Sequence, residues 1–593
     1  MPKANNTSNT TRAAAVALLL GTAAGTQALT ISNTVTVAPG TVYTQPASVT
    51  LDITATGTLD AAPATTGTAI FLPGDVNNDG RLLAALGSEI NGLSLYGNAR
   101  NGGLIEAVTL NIGGSLRNNV GATVEAGSYS YAGLGPRTPV EAGRPLLGVG
   151  FAVLASGNVI NSGAWASRGD ASILGLFDNR GSFVSAPNVE TLPAGGQPYT
   201  QLLRIGGPTF QQPQGQLFNA AGGVIELSRL SLLVNGGDIE NRGLLRLNGA
   251  TLQNDPLGWV HNVGGATLAL DGGVLRLEAG GQRGLYNAGL IEMNGGLLDN
   301  RAEADFVNAA SGTLNIGAVA RYTQQNTFDN SGVVAVAGRF DGGTLRNGGV
   351  VAVLPGGSMA VDTLYNTNEV IVWEVSTMEV GLLHQDNGWL VVNGVFDGNL
   401  VLAGGVLGGN GRINGSVFLG GPPGPAQQPP HCNVLGVACF RPGASPGTMT
   451  IDGTLTMLEG AVLELEVERD ASGQLVWDRV LAQSISFEAG SVIQLLLGAG
   501  VGSIGQDLEL LHCSRGCSFA GASLEIVGGD VSLRFDKGGL VVVAVPEPGT
   551  WLMMVIGLAA FAGRAARLAS RAVPRPRSRR PCPDFSNPGS SAR

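Results

Sequence analysis

Charged and aromatic side chains are scarce in this 593-residue sequence, at 13% and 5% of all residues. Soluble globular domains carry roughly a quarter charged residues, so the composition argues against an ordinary helical globule. Disorder as the main state is also excluded, because disordered chains combine high charge with few β-branched residues, whereas 44% of this chain is apolar. Glycine is abundant, with 92 residues, and Val, Leu, Ile and Thr occur in short alternating runs. This combination predicts an all-β protein with many turns.

Positive charge is scarce in the body of the chain. Residues 29–545 contain 24 basic and 42 acidic residues, and Lys537 is the only lysine among them. An acidic surface repels phosphate groups, so we predict no nucleic-acid partner. The excess of carboxylates suits a solvated surface.

Residues that commonly carry catalysis are few. Histidine occurs only four times, and acid pairs such as Glu303 and Asp305 are scattered along the chain. Residues 443–447 match the G-x-S-x-G pattern, but an alternating strand is predicted after them, where a nucleophile elbow needs a helix. Residues 500–505 match G-x-G-x-x-G and likewise lack a following helix. We therefore predict that the protein is not an enzyme; the alternative is a polysaccharide-binding or polysaccharide-cleaving β-helix protein.

The N-terminus has the pattern of a secretory signal peptide. Lys3 and Arg12 supply positive charge, residues 13–24 form an apolar run, and residues 26–28 (Thr-Gln-Ala) place small residues at the −3 and −1 positions of a cleavage site. The apolar run is shorter than the roughly 20 residues that span a bilayer. We predict a signal peptide at residues 1–28 and export of the chain.

The C-terminus contains three ordered features. Pro546, Glu547 and Pro548 come first, and prolines on both sides keep the glutamate in an extended backbone. An apolar run at residues 552–563 follows. An arginine cluster then comes at Arg564, Arg567, Arg571, Arg575, Arg577, Arg579 and Arg580. A short apolar helix followed by arginines is a stop-transfer arrangement, because positive charge stays on the cytoplasmic side.

This order of features resembles the PEP-CTERM sorting signal that exosortases process in bacteria. The resemblance covers residues 545–580, and residues 581–593 form a further tail. It implies an exosortase as partner, a transient inner-membrane anchor, cleavage at or near Pro546, Glu547 and Pro548, and release of the body to the cell surface. An ordinary single-pass anchor is the alternative.

The middle of the chain is a repeat built on an Asn-x-Gly pattern. The pattern begins at Asn161 and Asn179, and from Asn219 it returns at Asn241, Asn262, Asn287, Asn308, Asn330, Asn347 and Asn366, with a period near 21 residues. This period is too short for a propeller blade and fits one coil of a right-handed parallel β-helix. We predict β-solenoid repeats at residues 29–400, with left-handed Asn and Gly at the turns and Asn side chains stacked from coil to coil. An antiparallel β-sandwich series is the alternative.

The pattern changes after residue 400. A transition with a Pro-rich insert is predicted at residues 401–445, followed by a β-rich segment at residues 446–544 that caps the solenoid. The Gly-Asn-Gly-Arg-Ile-Asn-Gly run at residues 409–415 and the Pro-Gly-Ala-Ser-Pro-Gly-Thr run at residues 442–448 resemble the closing segment of autotransporter passenger β-helices. That resemblance implies the same β-helix architecture in the body.

Four of the five cysteines lie in the predicted exported body. Cys432 with Cys439, and Cys513 with Cys517, are close enough in sequence to form two local disulfides in an oxidising compartment. His431 and His512 each adjoin a cysteine, so a zinc site is the alternative, although C-x-x-C spacing is absent.

One segment resembles the start of a calcium-binding loop. Asp75, Asn77 and Asp79 place oxygens at positions 1, 3 and 5, and Gly80 stands at position 6. Position 12, where a carboxylate is expected, is Leu86. A weak Ca²⁺ site or a plain polar turn is predicted, and no other cofactor.

Taken together, the two ends and the repeat predict an exported structural or adhesive protein of the cell surface or of an extracellular biofilm matrix. Extracellular polysaccharide or other surface proteins are its expected partners.

Overall fold

The computed structural model describes residues 27–543, with gaps at residues 39–40, 62–67, 85–91, 128–149, 155, 186–199, 208–213, 279–283, 302–304, 421–431, 433–435, 444–445, 500, 502–506, 530 and 537. Within the described residues every regular element is a β-strand. The predicted all-β class is therefore confirmed.

The first thirty-eight strands are short. They are β1 Gln27–Ile31, β2 Thr34–Val37, β3 Tyr43–Thr44, β4 Val49–Ile53, β5 Thr58–Ala61, β6 Thr68–Leu72, β7 Val76–Asn78, β8 Arg81–Ala84, β9 Gly92–Leu95, β10 Asn98–Asn101, β11 Leu104–Ala107, β12 Thr109–Ile112, β13 Ser115–Asn118, β14 Thr123–Ala126, β15 Gly150–Val153, β16 Asn158–Asn161, β17 Ala164–Ser167, β18 Asp170–Ile173, β19 Leu176–Asn179, β20 Ser182–Ser185, β21 Gln201–Ile205, β22 Gln216–Asn219, β23 Val224–Ser228, β24 Ser231–Asn235, β25 Asp238–Asn241, β26 Leu244–Asn248, β27 Thr251–Asn254, β28 Trp259–Asn262, β29 Thr267–Asp271, β30 Val274–Leu277, β31 Leu285–Asn287, β32 Leu290–Met293, β33 Gly296–Asn300, β34 Phe306–Asn308, β35 Thr313–Ile316, β36 Ala320–Gln324, β37 Thr327–Asn330 and β38 Val333–Val336.

Longer strands become common after that point. They and their neighbours are β39 Arg339–Asn347, β40 Val350–Val353, β41 Ser358–Asn366, β42 Glu369–Val372, β43 Thr377–Gln385, β44 Trp389–Val392, β45 Val395–Leu402, β46 Gly405–Gly409, β47 Arg412–Ile413, β48 Val417–Leu419, β49 Ala438–Pro442, β50 Thr448–Met457, β51 Val462–Arg469, β52 Leu475–Trp477, β53 Arg479–Phe487, β54 Val492–Leu497, β55 Leu508–Ser518, β56 Ser523–Val527, β57 Ser532–Asp536 and β58 Gly539–Val543.

Three parallel ladders of strands run along the molecule. From β4 to β38 each coil contributes one strand to each ladder, so that β19 pairs with β22, β20 with β23 and β21 with β24, all in parallel. At β39 two ladders merge, since this single long strand pairs with both β36 and β37. The stacking of each coil on the next is the parallel β-helix that the repeat period predicts. The β-sandwich alternative is wrong, because the pairing in the repeat is parallel.

The ladders continue past residue 400. β46 pairs in parallel with β49, β49 with β51 and β51 with β54, so the stack includes coils that follow the predicted transition. The rod ends in antiparallel pairs that β58 forms with β55 and β57. One of the three ladders starts at β2, ends at β56 and contains 21 strands stacked in parallel. At about 4.8 Å per strand, the rod has a length on the order of 100 Å.

Alternation of apolar residues creates the core. In β26, for example, Leu245 and Leu247 are fully buried while Leu244 and Arg246 face outward. Most of the largest fully buried side chains form two aromatic clusters inside the rod. One contains Phe151, Trp165, Phe177 and Phe183, and the other contains Phe306, Tyr322, Phe328 and Phe340.

A ladder of buried asparagines fixes the register between coils. The side-chain nitrogen of each ladder residue donates to the side-chain oxygen of the next, at 2.7–2.9 Å between asparagines and 3.1 Å at the final step to Gln385. The ladder comprises Asn78, Asn101, Asn118, Asn161, Asn179, Asn219, Asn241, Asn262, Asn287, Asn308, Asn330, Asn347, Asn366 and Gln385. The predicted stacking of asparagines is thus confirmed.

The predicted left-handed conformation of these asparagines is wrong. Among the described residues the only non-glycine residues with positive φ are Leu230 and Val375. The ladder asparagines end extended strands instead. The glycine of the Asn-x-Gly pattern is required by close approach: a Cβ on Gly349 would lie 2.0 Å from the carbonyl oxygen of Gly332 in the previous coil.

Candidate functional site

The predicted sorting residues follow directly on the capped end of the rod. The last strand, β58, ends at Val543, three residues before Pro546. Pro546, Glu547, Pro548, Arg564, Arg567 and Arg571 all lie outside the described residues, as do residues 1–26 of the predicted signal peptide. Gln27 and Ala28 already belong to β1, where they pair with Val49 and Thr50. The predicted cleavage after Ala28 would therefore shorten β1 by two residues.

The four body cysteines are bonded in two local pairs. Cys432 bonds to Cys439, with a Cα–Cα distance of 5.2 Å, and Cys513 bonds to Cys517, with a Cα–Cα distance of 5.6 Å. Cys439 is fully buried in β49, and Cys513 lies in β55. His512 contacts Glu509 at 2.8 Å through Nδ1. Each thiol is thus used in a covalent link beside the last coils.

The segment that resembles a calcium loop is a strand and not a loop. Val76–Asn78 forms β7, in which Val76 and Asn78 point inward. Asp75, Asn77 and Asp79 lie on the outside, and each side chain is bonded to a neighbouring coil: Asp75 accepts from Asn98, Asn77 donates to Asp52, and Asp79 pairs with Arg100 at 2.8 Å. Calcium binding here stays a prediction of the sequence. An extended backbone spreads the three oxygens along the strand, whereas a calcium loop gathers them around one centre.

An open cavity of about 340 Å³ lies on the outer face of four successive coils, formed by β19, β22, β25 and β28. Because strand side chains alternate, two rows face outward here. One row contains Leu176, Gln216, Asp238 and Trp259, and the other contains Asp178, Phe218, Glu240 and His261. We call this cavity the aromatic groove. Tyr286 of β31 extends the second row by one coil.

Aromatic rings line one end of the aromatic groove. The Trp259 and His261 rings meet edge to face with centroids 3.8 Å apart, and the Tyr286 ring lies 5.5 Å from that of His261. The guanidinium of Arg242 lies over the Phe218 ring, 5.3 Å from its centroid. Trp259 and Tyr286 are 38% and 40% exposed, so part of each ring is in contact with solvent.

Polar groups line the same groove, and two of their atoms are buried without a partner among the described residues. Asp178 is only 7% exposed; its Oδ2 pairs with Arg180 at 2.7 Å, while its Oδ1 has no hydrogen bond. The Nε2 atom of His261 is likewise buried and unbonded. Burial lowers the pKa of His261, against the opposing charges of Glu240 and Asp238, and thereby favours the neutral imidazole.

A second cavity, of about 240 Å³, lies near the end of the rod beside Trp389. Its carboxylates already have structural partners. Arg441 pairs with Glu464 at 2.7 Å, and the two oxygens of Asp478 accept from the backbone N–H groups of Gly447 and Glu466, each at 2.8 Å. Burial raises the pKa of Asp478 to about 7. These bonds hold the turn before β50 against the hairpin of β51 and β52. The carboxylates of this cavity therefore have a structural role.

The G-x-S-x-G turn leads into a strand. β49 ends at Pro442 and β50 begins at Thr448, so the helix that a nucleophile elbow requires does not follow it. Within the described residues, no three His, Cys, Asp or Glu side chains are grouped so that they could hold a metal ion.

No described part of the chain forms a helix long and apolar enough to cross a membrane.

The aromatic groove was not among the residues that the sequence singled out. A signal for it is present, because its side chains stand one and three positions before successive ladder asparagines. His261 and Trp259 precede Asn262 in this way, and Phe218 and Gln216 precede Asn219. Using the asparagines as the register mark would have aligned the outward rows without a structure.

Comparison with known proteins identifies the C-terminal segment. Residues 544–567 match the family model of the PEP-CTERM protein-sorting motif. No curated protein matches the chain. Solved structures that match include the Haemophilus influenzae Hap adhesin, at 10% identity and a TM-score of 0.23, over 88% of this chain and 64% of that one.

The chain spans less than two thirds of that adhesin structure, and so low a TM-score carries no argument about fold or function. The strand pairing itself establishes the β-helix. The described body is a parallel β-helix, and a PEP-CTERM protein-sorting motif follows it at residues 544–567. The chain is therefore an exported protein of the cell surface that carries a PEP-CTERM protein-sorting motif.

Proposed function

We propose that an exosortase processes this chain at its PEP-CTERM motif and thereby delivers a stiff β-helical rod to the cell surface, where it acts as a structural or adhesive component of the extracellular matrix. The match at residues 544–567 carries the proposal. The family model overlaps Pro546, Glu547, Pro548, Arg564 and Arg567, the residues that the sequence assigns to recognition and stop-transfer.

The order of events follows from the physics of the two ends. A signal peptide starts export, and the apolar run at residues 552–563 then stops in the inner membrane because the arginines behind it resist transfer. The sequence predicts that Pro546 and Pro548 favour an extended backbone at Glu547, which would suit entry into a protease site outside the membrane. Cleavage there frees the rod from a tether that is only temporary.

The described body has features that are typical of extracellular proteins. Two disulfides lie beside its last coils, and such bonds persist in oxidising compartments. The asparagine ladder and the continuous core join the coils into one stack, so a force on one end is transmitted along the rod. Carboxylates that are used structurally, such as Asp478, favour a structural role over a catalytic one.

Mass spectrometry of the mature C-terminus tests the proposal. In cells that contain an exosortase, the wild-type chain is expected to end near Pro546, whereas a triple substitution of Pro546, Glu547 and Pro548 by alanine leaves the tail intact and the chain in the membrane fraction. A matched control is Pro574→Ala, which alters a proline behind the predicted membrane segment. An intact tail on the wild-type chain in such cells would refute the proposal.

A further inference from the structure

The aromatic groove combines exposed aromatic rings with buried polar atoms that have no hydrogen-bond partner in the described structure. Aromatic residues make up only 5% of the chain; some of the largest, such as Trp165 and Tyr322, are buried in the core, while Trp373 and Trp389 are also exposed elsewhere on the rod. In the groove, Trp259 and His261 stand together on β28, and Phe218 stands two coils earlier on β22, all on the outer face. Large flat rings that face solvent side by side are a feature of binding surfaces.

The two unbonded buried atoms lie at opposite ends of the groove. Asp178 is on β19 and His261 is on β28, three strands further along the ladder. At about 4.8 Å per strand, the two positions are separated by roughly 14 Å. A buried polar atom without a partner costs about 1–3 kcal/mol, so a ligand group that bonds either atom would offset that cost. A single small ion cannot reach both, whereas an elongated ligand can.

The chemistry of the two atoms specifies what that ligand must offer. The Oδ1 atom of Asp178 can only accept, so it requires a hydroxyl or amine donor. The Nε2 atom of a neutral His261 accepts or donates according to its tautomer, and hydroxyl groups do both. Trp259 requires a flat apolar face against its ring. A sugar chain presents hydroxyls around its edge and C–H groups on its face, and it repeats this pattern along its length.

Other ligand classes fit less well. Asp178, Asp238 and Glu240 line the groove, so polyanions such as nucleic acids and uronic-acid polymers are repelled. Within the described part of the chain no acid and histidine set is grouped to hold a metal. An extended peptide gains its affinity from main-chain bonds to an open strand edge, whereas this groove lies on the face of a sheet whose strands are paired on both sides.

We propose that the aromatic groove binds a neutral, hydroxyl-rich saccharide chain laid along the axis of the rod. Trp259 stacks on a sugar face, Asp178 accepts from a hydroxyl at one end, and His261 bonds a hydroxyl at the other. The proposal deepens the matrix role by naming a partner class and a site. It requires only the folded rod, so its success or failure is independent of C-terminal processing.

Isothermal titration of the full-length chain, purified in detergent, tests this site. The probes are three neutral hexasaccharides, maltohexaose, cellohexaose and chitohexaose, together with polysaccharide isolated from the producing cells. Binding of at least one probe is expected, and Trp259→Ala and Asp178→Asn are each expected to weaken it by about tenfold or more. Preference for the cells' own polysaccharide indicates a matrix partner, and preference for a foreign oligosaccharide indicates attachment to another surface; both support the site.

Trp373→Ala is the matched control. Trp373 is 43% exposed, similar to Trp259, but lies on the turn after β42 and away from the groove, so its loss is expected to leave binding unchanged. Circular dichroism of each variant verifies the fold. Because Trp259 faces solvent and the neighbouring ladder residue Asn262 is kept, the Trp259 variant is expected to retain wild-type structure.

Three results would overturn the proposal. The first is an absence of binding to every neutral probe. The second is binding that survives both groove substitutions, or that falls equally in the Trp373 control. The third is a groove occupied by another class of partner: tighter binding of oligogalacturonate than of the neutral probes, or dimerisation of the chain in analytical ultracentrifugation that Trp259→Ala abolishes.

Discussion

The side-chain nitrogen of Asn241 donates to the side-chain oxygen of Asn262, one coil further along the rod, at 2.9 Å. The same nitrogen donates to the carbonyl of Thr267 at 2.9 Å, and the side-chain oxygen of Asn241 accepts from Asn219 at 2.7 Å. Asn241 is 1% exposed, so none of these bonds competes with bulk water. Each ladder residue therefore joins three coils through one amide.

Replacing Asn241 by alanine is expected to lower the free energy of unfolding by about 3 kcal/mol. The substitution leaves the buried side-chain oxygen of Asn262 without its Asn241 donor, at a cost of about 1–3 kcal/mol. The lost bonds from Asn219 and to the Thr267 carbonyl add about 0.5–1.5 kcal/mol each, although the Asn219 nitrogen keeps its bonds to the Gly223 and Leu244 carbonyls. Urea unfolding followed by circular dichroism measures the change. Asn248→Ala is the control, because Asn248 is exposed and bonds Glu226 at 3.3 Å on the surface; a shift of less than about 0.5 kcal/mol is expected there. Equal shifts in both variants would contradict a structural ladder.

The spacing of asparagines was enough to predict the β-helix and the ladder from Asn161 onward. It did not reveal Asn78, Asn101 and Asn118, although residues 101–106 (Asn-Gly-Gly-Leu-Ile-Glu) have the same pattern as residues 287–292 (Asn-Ala-Gly-Leu-Ile-Glu). The reason is the spacing: the step from Asn118 to Asn161 is 43 residues and that from Asn179 to Asn219 is 40, because extra chain is inserted between neighbouring coils. A search for a fixed period cannot follow such insertions.

The aromatic groove depends on contacts between coils, which a period along the chain does not report. Trp259 and Phe218 are 41 residues apart in sequence but only two coils apart in space, with β25 between their strands. The burial of Asp178 arises from its packing between coils and from Arg180, neither of which the composition indicates. The sequence likewise did not show that the segment at Asp75 forms a strand, because that strand depends on pairing with adjacent coils.

Substitutions of Trp165 compare the contribution of its buried ring to stability with that of its indole N–H group. It is 1% exposed and packs against Phe177 and Phe151, with ring centroids 5.0 and 5.2 Å away. Its indole Nε1 is buried without a hydrogen-bond partner in the described structure. Trp165→Phe removes that donor and keeps most of the ring, so its stability is expected to stay within about 1 kcal/mol of wild type.

Trp165→Ala keeps neither ring nor donor and is expected to cost about 3–5 kcal/mol, since a large cavity opens between the two phenylalanines. Thermal and urea unfolding of both variants give the comparison. A phenylalanine variant as unstable as the alanine variant would show that the indole nitrogen is bonded in solution.

The disulfide between Cys432 and Cys439 is expected to stabilise the last coils. Cys439 is fully buried beside Val406 and Val462, so the bond anchors the chain that returns after the Pro-rich insert. Removing a disulfide that closes so short a loop costs about 2 kcal/mol. The double variant Cys432→Ala and Cys439→Ala is therefore expected to unfold at lower urea than wild type.

Dithiothreitol provides the matching control for this disulfide. Reduction is expected to lower the urea midpoint of the wild-type protein toward that of the double variant. It is expected to lower the urea midpoint of the double variant less, because only Cys513–Cys517 remains to be reduced there. Identical dithiothreitol effects on the two proteins would mean that Cys432 and Cys439 are not bonded in solution.

Asp478 is expected to make the rod less stable as pH rises from about 4 to about 7. Burial raises the pKa of Asp478 to about 7, although bonds from the Gly447 and Glu466 amides lower it in part, and nearby Glu466 and Glu464 raise it further. In the unfolded chain the same carboxyl ionises near pH 4. Between those values the folded state binds the extra proton, so its stability is full below pH 4 and falls as pH approaches 7. The total is on the order of 3–4 kcal/mol.

Asp478→Asn isolates this effect because an amide does not titrate in that range. The amide offers one acceptor where the carboxyl offers two, so either the Gly447 or the Glu466 N–H loses its partner, at a pH-independent cost of about 1–3 kcal/mol. The variant is expected to be less stable than wild type at pH 4, and the difference is expected to shrink or reverse by pH 8. Urea midpoints at five pH values measure both curves, with the exposed Asp386→Asn as a control that keeps the wild-type slope. Parallel curves for wild type and Asp478→Asn would mean that Asp478 ionises in the folded rod as it does in the unfolded chain, and that its two backbone bonds outweigh its burial.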